Sequence, residues 1–136
     1  MTEYHALIVD DLSCWQDALN EALTDAGYRV CVAASYAEAM DALGRQRFHL
    51  AIIDPVLDDA NRRNRDGLRV LRHILAQSPD ICSVVVTSSD PNRIRHEVNE
   101  LSPDIPVLWK DEWDDSRFLA VVRQLLDQTS SVKRQT

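Results

Sequence analysis

Asp10, Asp11 and Asp54 each stand where an apolar run ends: Ala6-Leu7-Ile8-Val9 leads into Asp10-Asp11, and Leu50-Ala51-Ile52-Ile53 leads into Asp54. If both runs are buried parallel strands of one sheet, the three carboxylates meet at its carboxyl edge, where open α/β sheets hold their active sites. Crowded carboxylates repel one another and demand a cation. An oxygen-only set with few ligands suits Mg²⁺, which takes one or two carboxylates directly and keeps waters that a phosphate can displace. The pattern points to phosphate chemistry on an aspartate. Taken alone, an Asp-Asp pair after a strand is a common turn or helix cap; its company with Asp54 and with Lys110 sets that reading aside.

These residues need elements to position them, and the chain supplies an alternation of strand and helix. Tyr4 to Val9 reads as strand, followed by Trp15, Ala18, Leu19, Ala22, Leu23 and Ala26 at helical spacing until Gly27. Arg29 to Ala33 is a second strand, and Ser35 with Glu38 forms a capping box for a helix bearing Ala39, Met40 and Leu43. Phe48 to Ile53 is the third strand, and Leu68, Leu71, Ile74 and Leu75 mark the third helix. Ile81 to Val86 is a β-branched buried run with Thr87 at its end. Asp90-Pro91 opens a helix burying Ile94, Val98 and Leu101, Ile105 to Trp109 is the fifth strand, and Phe118, Leu119, Val122, Leu125 and Leu126 form the last helix. Five βα repeats predict an α/β fold: a five-stranded parallel sheet with helices on both faces and right-handed crossovers. Its carboxyl edge then collects Asp10, Asp11, Asp54, Thr87 with Ser88, and Lys110. Together they supply a nucleophile, metal ligands, a hydroxyl donor and a fixed cation, a complete set for phosphoryl transfer.

Composition narrows the function classes. A chain of 136 residues with 45% hydrophobic content suits one domain with one sizeable core. Its net charge of −7 disfavours nucleic acid as a partner and suits protein partners. Cys14, Cys31 and Cys82 are widely spaced without a Cys-x-x-Cys pair, which predicts reduced thiols and a cytoplasmic location. No apolar run approaches a membrane span, and no basic segment leads into a long apolar stretch, so neither membrane insertion nor secretion is expected.

The residues so placed resemble the receiver domain of bacterial two-component response regulators, whose fold is the flavodoxin-like (βα)5 sheet. The matching pieces are Leu7-Ile8-Val9-Asp10-Asp11, Ala51-Ile52-Ile53-Asp54, Asp66-Gly67-Leu68, Val86-Thr87-Ser88 and Leu108-Trp109-Lys110. None is specific alone; five in order are. The resemblance covers residues 1–127 as one receiver domain and leaves 128–136 as a polar tail or the start of a linker. It implies that Asp54 accepts a phosphoryl group from a phosphohistidine on a sensor histidine kinase or phosphotransfer protein. Asp11 would bind Mg²⁺ directly, Asp10 largely through water, and the backbone carbonyl of Val56 would complete the protein ligands beside Asp54. Lys110 would pair with Asp54 and then with a phosphoryl oxygen, while the Thr87 hydroxyl would take another. The output would be a changed surface read by a downstream protein effector, or a homodimer, through the fourth helix, fifth strand and last helix.

Several positions depart from that pattern. Gly67 follows Asp54 by thirteen positions, more than the family uses, and the usual loop proline is missing. The extra length, Asp58 to Arg65, lies beside the site, and its Arg62, Arg63 and Arg65 read first as a solvated loop. Lys110 precedes Asp111 where the family has proline, which predicts a trans peptide there, since a cis bond without proline costs about 2.5 to 4 kcal/mol. Val107 takes the place of the usual switching aromatic. Val56 and Ser89 occupy the two positions that tune dephosphorylation in that family, and neither is a carboxylate or amide that could orient an attacking water, so a long-lived phosphoryl group is expected. Trp15 reads as packing on the first helix, and Trp113 as either an interface residue or a buried one.

Two other classes compete. A degenerate receiver could serve as a phosphorylation-independent binding module, although a scaffold has no use for three mutually repelling acids. A phosphohydrolase of the haloacid dehalogenase type wants Asp-x-Asp after its first strand, and this chain has Asp10-Asp11-Leu12.

Overall fold

The computed structural model describes residues 3–135, with side-chain detail through Thr129. Elements follow in the order β1 (His5–Val9), α1 (Ser13–Asp25), β2 (Arg29–Ala33), α2 (Tyr36–Arg45), β3 (Leu50–Ile53), α3 (Asp66–Gln77), β4 (Cys82–Thr87), α4 (Pro91–Leu101), β5 (Val107–Trp109), a 3-10 turn (Lys110–Glu112) and α5 (Asp115–Gln135). All strand pairs are parallel, in the order β2-β1-β3-β4-β5. Helix α5 continues through the polar stretch after Asp127 as far as Gln135.

Alternating strand residues feed two cores. Leu7, Val9, Ala51, Ile53, Val85 and Val107 pack beneath α2, α3 and α4. Ala6, Ile8, Leu50, Ile52, Val84, Val86 and Leu108 pack beneath α1 and α5. Central strands buried on both faces explain why these runs are continuously apolar.

Differences from the sequence reading are local. Tyr4, Phe48, Ile81 and Ile105 lie outside the strands, although Phe48 and Ile81 are buried. Of the expected α1 stripe Leu19, Ala22 and Leu23 are buried, whereas Ala18 and Ala26 are exposed. Gly27 follows that helix at φ 97°, the left-handed conformation glycine tolerates. The α2 cap is a variant box: the Ser35 hydroxyl accepts from Glu38 N–H at 3.1 Å, but Glu38 reaches back to Ala34 N–H rather than to that of Ser35. Asp90 caps α4 through Asn92 N–H at 3.0 Å, with Pro91 in the first turn. Among the described residues no peptide bond is cis, so Lys110-Asp111 is trans and the chain turns there through the 3-10 segment. No described helix is long and apolar enough to cross a membrane.

Candidate functional site

Register brings the acids together. β1 and β3 are paired with Val9 opposite Ile53, and the Asp54 N–H donates to Val9 O at 2.9 Å. The next residue of each strand therefore lies at the same edge. Asp10 is 1% exposed and Asp54 4%. One ligand oxygen from each of Asp10, Asp11 and Asp54 lies within 4.8 Å of the others.

Lys110 enters from the end of β5, is 5% exposed, and donates to Asp10 Oδ2 and Asp54 Oδ2, each at 2.8 Å. The remaining carboxylate oxygens are held by backbone: Asp54 Oδ1 accepts from Val56 N–H at 2.9 Å, and Asp10 Oδ1 from Leu12 N–H at 3.0 Å. Asp11 is partly exposed, and its Oδ2 accepts from Asp59 N–H at 3.1 Å, across the lengthened loop. Thr87 ends β4 opposite Trp109 and is wholly buried, with its hydroxyl accepting from Ser89 N–H at 3.0 Å. That fixes the register among Thr87, Ser88 and Ser89. The structure thus joins Asp10, Asp11, Asp54 and Lys110 in one cluster, places Thr87 at the neighbouring strand end, and ties Val56 to Asp54 through its N–H.

The electrostatics describe a site short of positive charge. Burial pushes the Asp54 carboxyl up to about 6 despite the attraction of Lys110, and burial likewise raises Asp10 against the same ammonium. Burial by itself would lower the Lys110 ammonium, but Asp54 and Asp10 together outweigh it and the net shift is upward. One ammonium cannot balance three carboxylates. Hard oxygens, close spacing and unrelieved negative charge fit a small divalent cation.

Several residues named in the sequence have contacts that no motif states. Gly67 donates its N–H to Pro55 O at 3.1 Å, and a Cβ there would fall 1.8 Å from Asp54 O. The approach of α3 to the Asp54 backbone therefore requires glycine. Gln16 donates to Asp10 O at 2.6 Å. Trp15 and Trp113 meet edge to face at 5.1 Å, Trp113 lies 5.0 Å from Phe118, and the Lys110 ammonium sits over the Trp15 ring at 4.9 Å. Both tryptophans are thus partly buried against the core beneath α1 and α5. In the long loop Arg62 and Arg63 are exposed, but Arg65 forms a two-bond ion pair with Glu97 of α4 at 2.9 and 3.1 Å. A helix entry Asp-Gly after an acidic strand end is a sequence signal for Gly67; the indole and Arg65 contacts link distant segments and leave no local signal.

Comparison with known proteins agrees with this geometry. The family model described as response regulator receiver domain matches residues 6–104. No curated protein matches. Among solved structures, a CheY-like receiver domain protein from Methanospirillum hungatei JF-1 superposes with a TM-score of 0.83 at 22% identity, covering 96% of this chain and 98% of that one. The signal receiver domain of an HD domain-containing protein from Pseudomonas fluorescens Pf-5 gives a TM-score of 0.79 at 25% identity, over 96% and 99%. NtrX from Brucella abortus gives 0.82 at 21% identity, over 98% of this chain but 28% of the longer protein. With the family model spanning most of its length and the receiver fold reproduced strand for strand, the chain belongs to the response regulator receiver domain family.

Proposed function

We propose that the chain is a phosphoacceptor that takes a phosphoryl group from a phosphohistidine onto Asp54 and thereby changes a surface read by another protein. The observation that carries this reading is the buried Lys110 ammonium bridging Asp10 and Asp54 at 2.8 Å each, beside a third carboxylate, Asp11, that has no ion pair among the described residues. Asp54 supplies the nucleophilic oxygen: an O–P bond forms as the P–N bond of the donor breaks, with the imidazole leaving. Asp10, Asp11 and Asp54, with the Val56 carbonyl, would hold Mg²⁺, which when bound neutralises charge on the transferring group. Lys110 stays within reach of the same oxygens as a fixed cation, and the Thr87 hydroxyl, which accepts from Ser89 N–H, would donate its own proton to another phosphoryl oxygen. Phosphoryl transfer asks the protein for positioning and charge neutralisation, and this site offers both. Histidine kinases or phosphotransfer proteins are the fitting donors, a protein effector the fitting reader, and the cytoplasm the fitting location.

Incubation with acetyl phosphate, with and without Mg²⁺, beside Asp54→Ala, tests the reading by intact mass. A Mg²⁺-dependent gain of one phosphoryl group, absent from the variant, is the expected result. Because neither Val56 nor Ser89 offers a carboxylate or amide to orient an attacking water, the label should outlast donor removal by well more than seconds. A folded, Mg²⁺-binding protein that gains nothing would instead be a phosphorylation-independent binding module.

A further inference from the structure

We propose that Trp15 is a positioning residue that holds Lys110 for the reaction at Asp54. The inference rests on the phosphoacceptor reading, but the contact itself is a property of the protein before any reaction. Lys110 reaches the acids without a proline after it to fix the chain's direction, because Asp111 follows through a trans peptide. Something else must hold a long, flexible side chain in place. An ammonium has three N–H donors, and Lys110 gives one to Asp10 and one to Asp54. Among the described residues it has no third acceptor; the Trp15 ring lies under it, 4.9 Å from Nζ to the centroid. An indole face attracts a cation more strongly than any other aromatic side chain.

The ring is itself fixed. Trp113 meets it edge to face, packs on the buried Phe118, and donates its Nε1–H to Asp115 at 2.7 Å, in the first turn of α5. Trp15 stands in the first turn of α1, four residues after Asp11, so the helix that follows the metal-ligating acids also carries the group that orients the lysine. When a phosphoryl oxygen draws the ammonium away from Asp54, the ring keeps it from swinging out to solvent. Trp15 thus acts on the rate of phosphoryl gain and not on the hold of the acids on their cation.

Two variants separate this role from general packing. Trp15→Phe keeps a ring under Lys110, and Trp15→Met fills the space without one. With acetyl phosphate as donor, the Met variant should gain the phosphoryl group about tenfold more slowly and the Phe variant within about threefold of the unaltered protein, as a cation–ring contact of ordinary strength allows. The Mg²⁺ midpoint should stay unchanged in both. Equal rates in the two variants, or a loss of rate matched by a loss of Mg²⁺ affinity, would overturn the proposal. The unaltered protein supplies a separate readout that needs no variant to fold and no phosphoryl transfer: the Lys110 ε-methylene protons should be shifted upfield by the ring. An upfield shift in a protein that accepts no phosphoryl group would retire the phosphoacceptor reading and keep the contact; ordinary lysine shifts would end the proposal outright.

Discussion

Asp54 is a residue held in an unfavourable state for a reason. Its carboxyl, moved by burial to about 6 from an ordinary 3.8, binds a proton more readily in the folded than in the unfolded chain. Folding stability therefore falls as pH rises from about 4 to 6, and above that window the buried negative charge remains as a standing cost. Asp54→Asn removes it while keeping an oxygen for Val56 N–H, and Lys110 retains Asp10. Without metal, the variant should be more stable than the unaltered protein by about 1 to 2 kcal/mol at pH 7.5, from urea midpoints. The gap should narrow as pH falls from about 6 and close below about pH 4, where Asp54 is protonated in the folded and the unfolded chain alike. A variant that is less stable at neutral pH would show that the Asp54–Lys110 bond outweighs the burial. The acid triad was legible because Asp10-Asp11, Asp54 and Lys110 each end an apolar run, a combination that a turn or helix cap does not need. The binding of the Asp59 N–H to Asp11 was not, since it depends on how a loop folds back and not on any side chain.

At the scale of elements, the approach of α3 to the chain just after β3 closely constrains Asp54. The first turn of α3 lies against the Asp54 and Pro55 backbone, with no room for a methyl group at Gly67. Gly67→Ala should cost about 3 kcal/mol in a urea melt, at the upper end of overpacking effects, because backbone and not a pliable side chain is in the way. Should the fold absorb it by moving α3, Asp54 will move too, and phosphoryl gain should drop with it; an Ala variant equal to the unaltered protein in both would refute the close approach. Periodicity located every helix and strand because each buries a regular face. It misjudged their edges where burial and strand pairing part company: Phe48 and Ile81 are core residues that precede their strands, and Ala18 and Ala26 share the stripe's spacing but not its burial. The thirteen-residue span to Gly67 announced a departure without its form. Only the structure shows one end pinned to Asp11 through Asp59 and the other to α4 through Arg65 and Glu97.

For the molecule as a whole, an acidic chain of net charge −7 gathers three carboxylates at one end of the sheet. A cation that binds the folded site and not the unfolded chain must stabilise the fold, by about 2.7 kcal/mol at a hundred times its dissociation constant. Mg²⁺ at that level should raise the melting temperature by roughly 5 to 10 °C, beyond any shift produced by matched NaCl. Asp11→Asn should abolish the increment while leaving the metal-free melt close to that of the unaltered protein. An increment that survives this variant would place the ion elsewhere on the acidic surface.

The pairing of Trp15 with Trp113 beside the acids also gives this protein an optical life of its own. An indole's emission depends on the charge next to its ring, and here that charge is the Lys110 ammonium, whose own partners are the acids that a metal or phosphoryl group would engage. A change in those partners should therefore alter the emission of Trp15, read as a shift in intrinsic fluorescence when Mg²⁺ is added; an unchanged spectrum would show that the ring does not sense the site. The molecule carries its own dye, and titrations of the site can be followed in unlabelled protein by light alone.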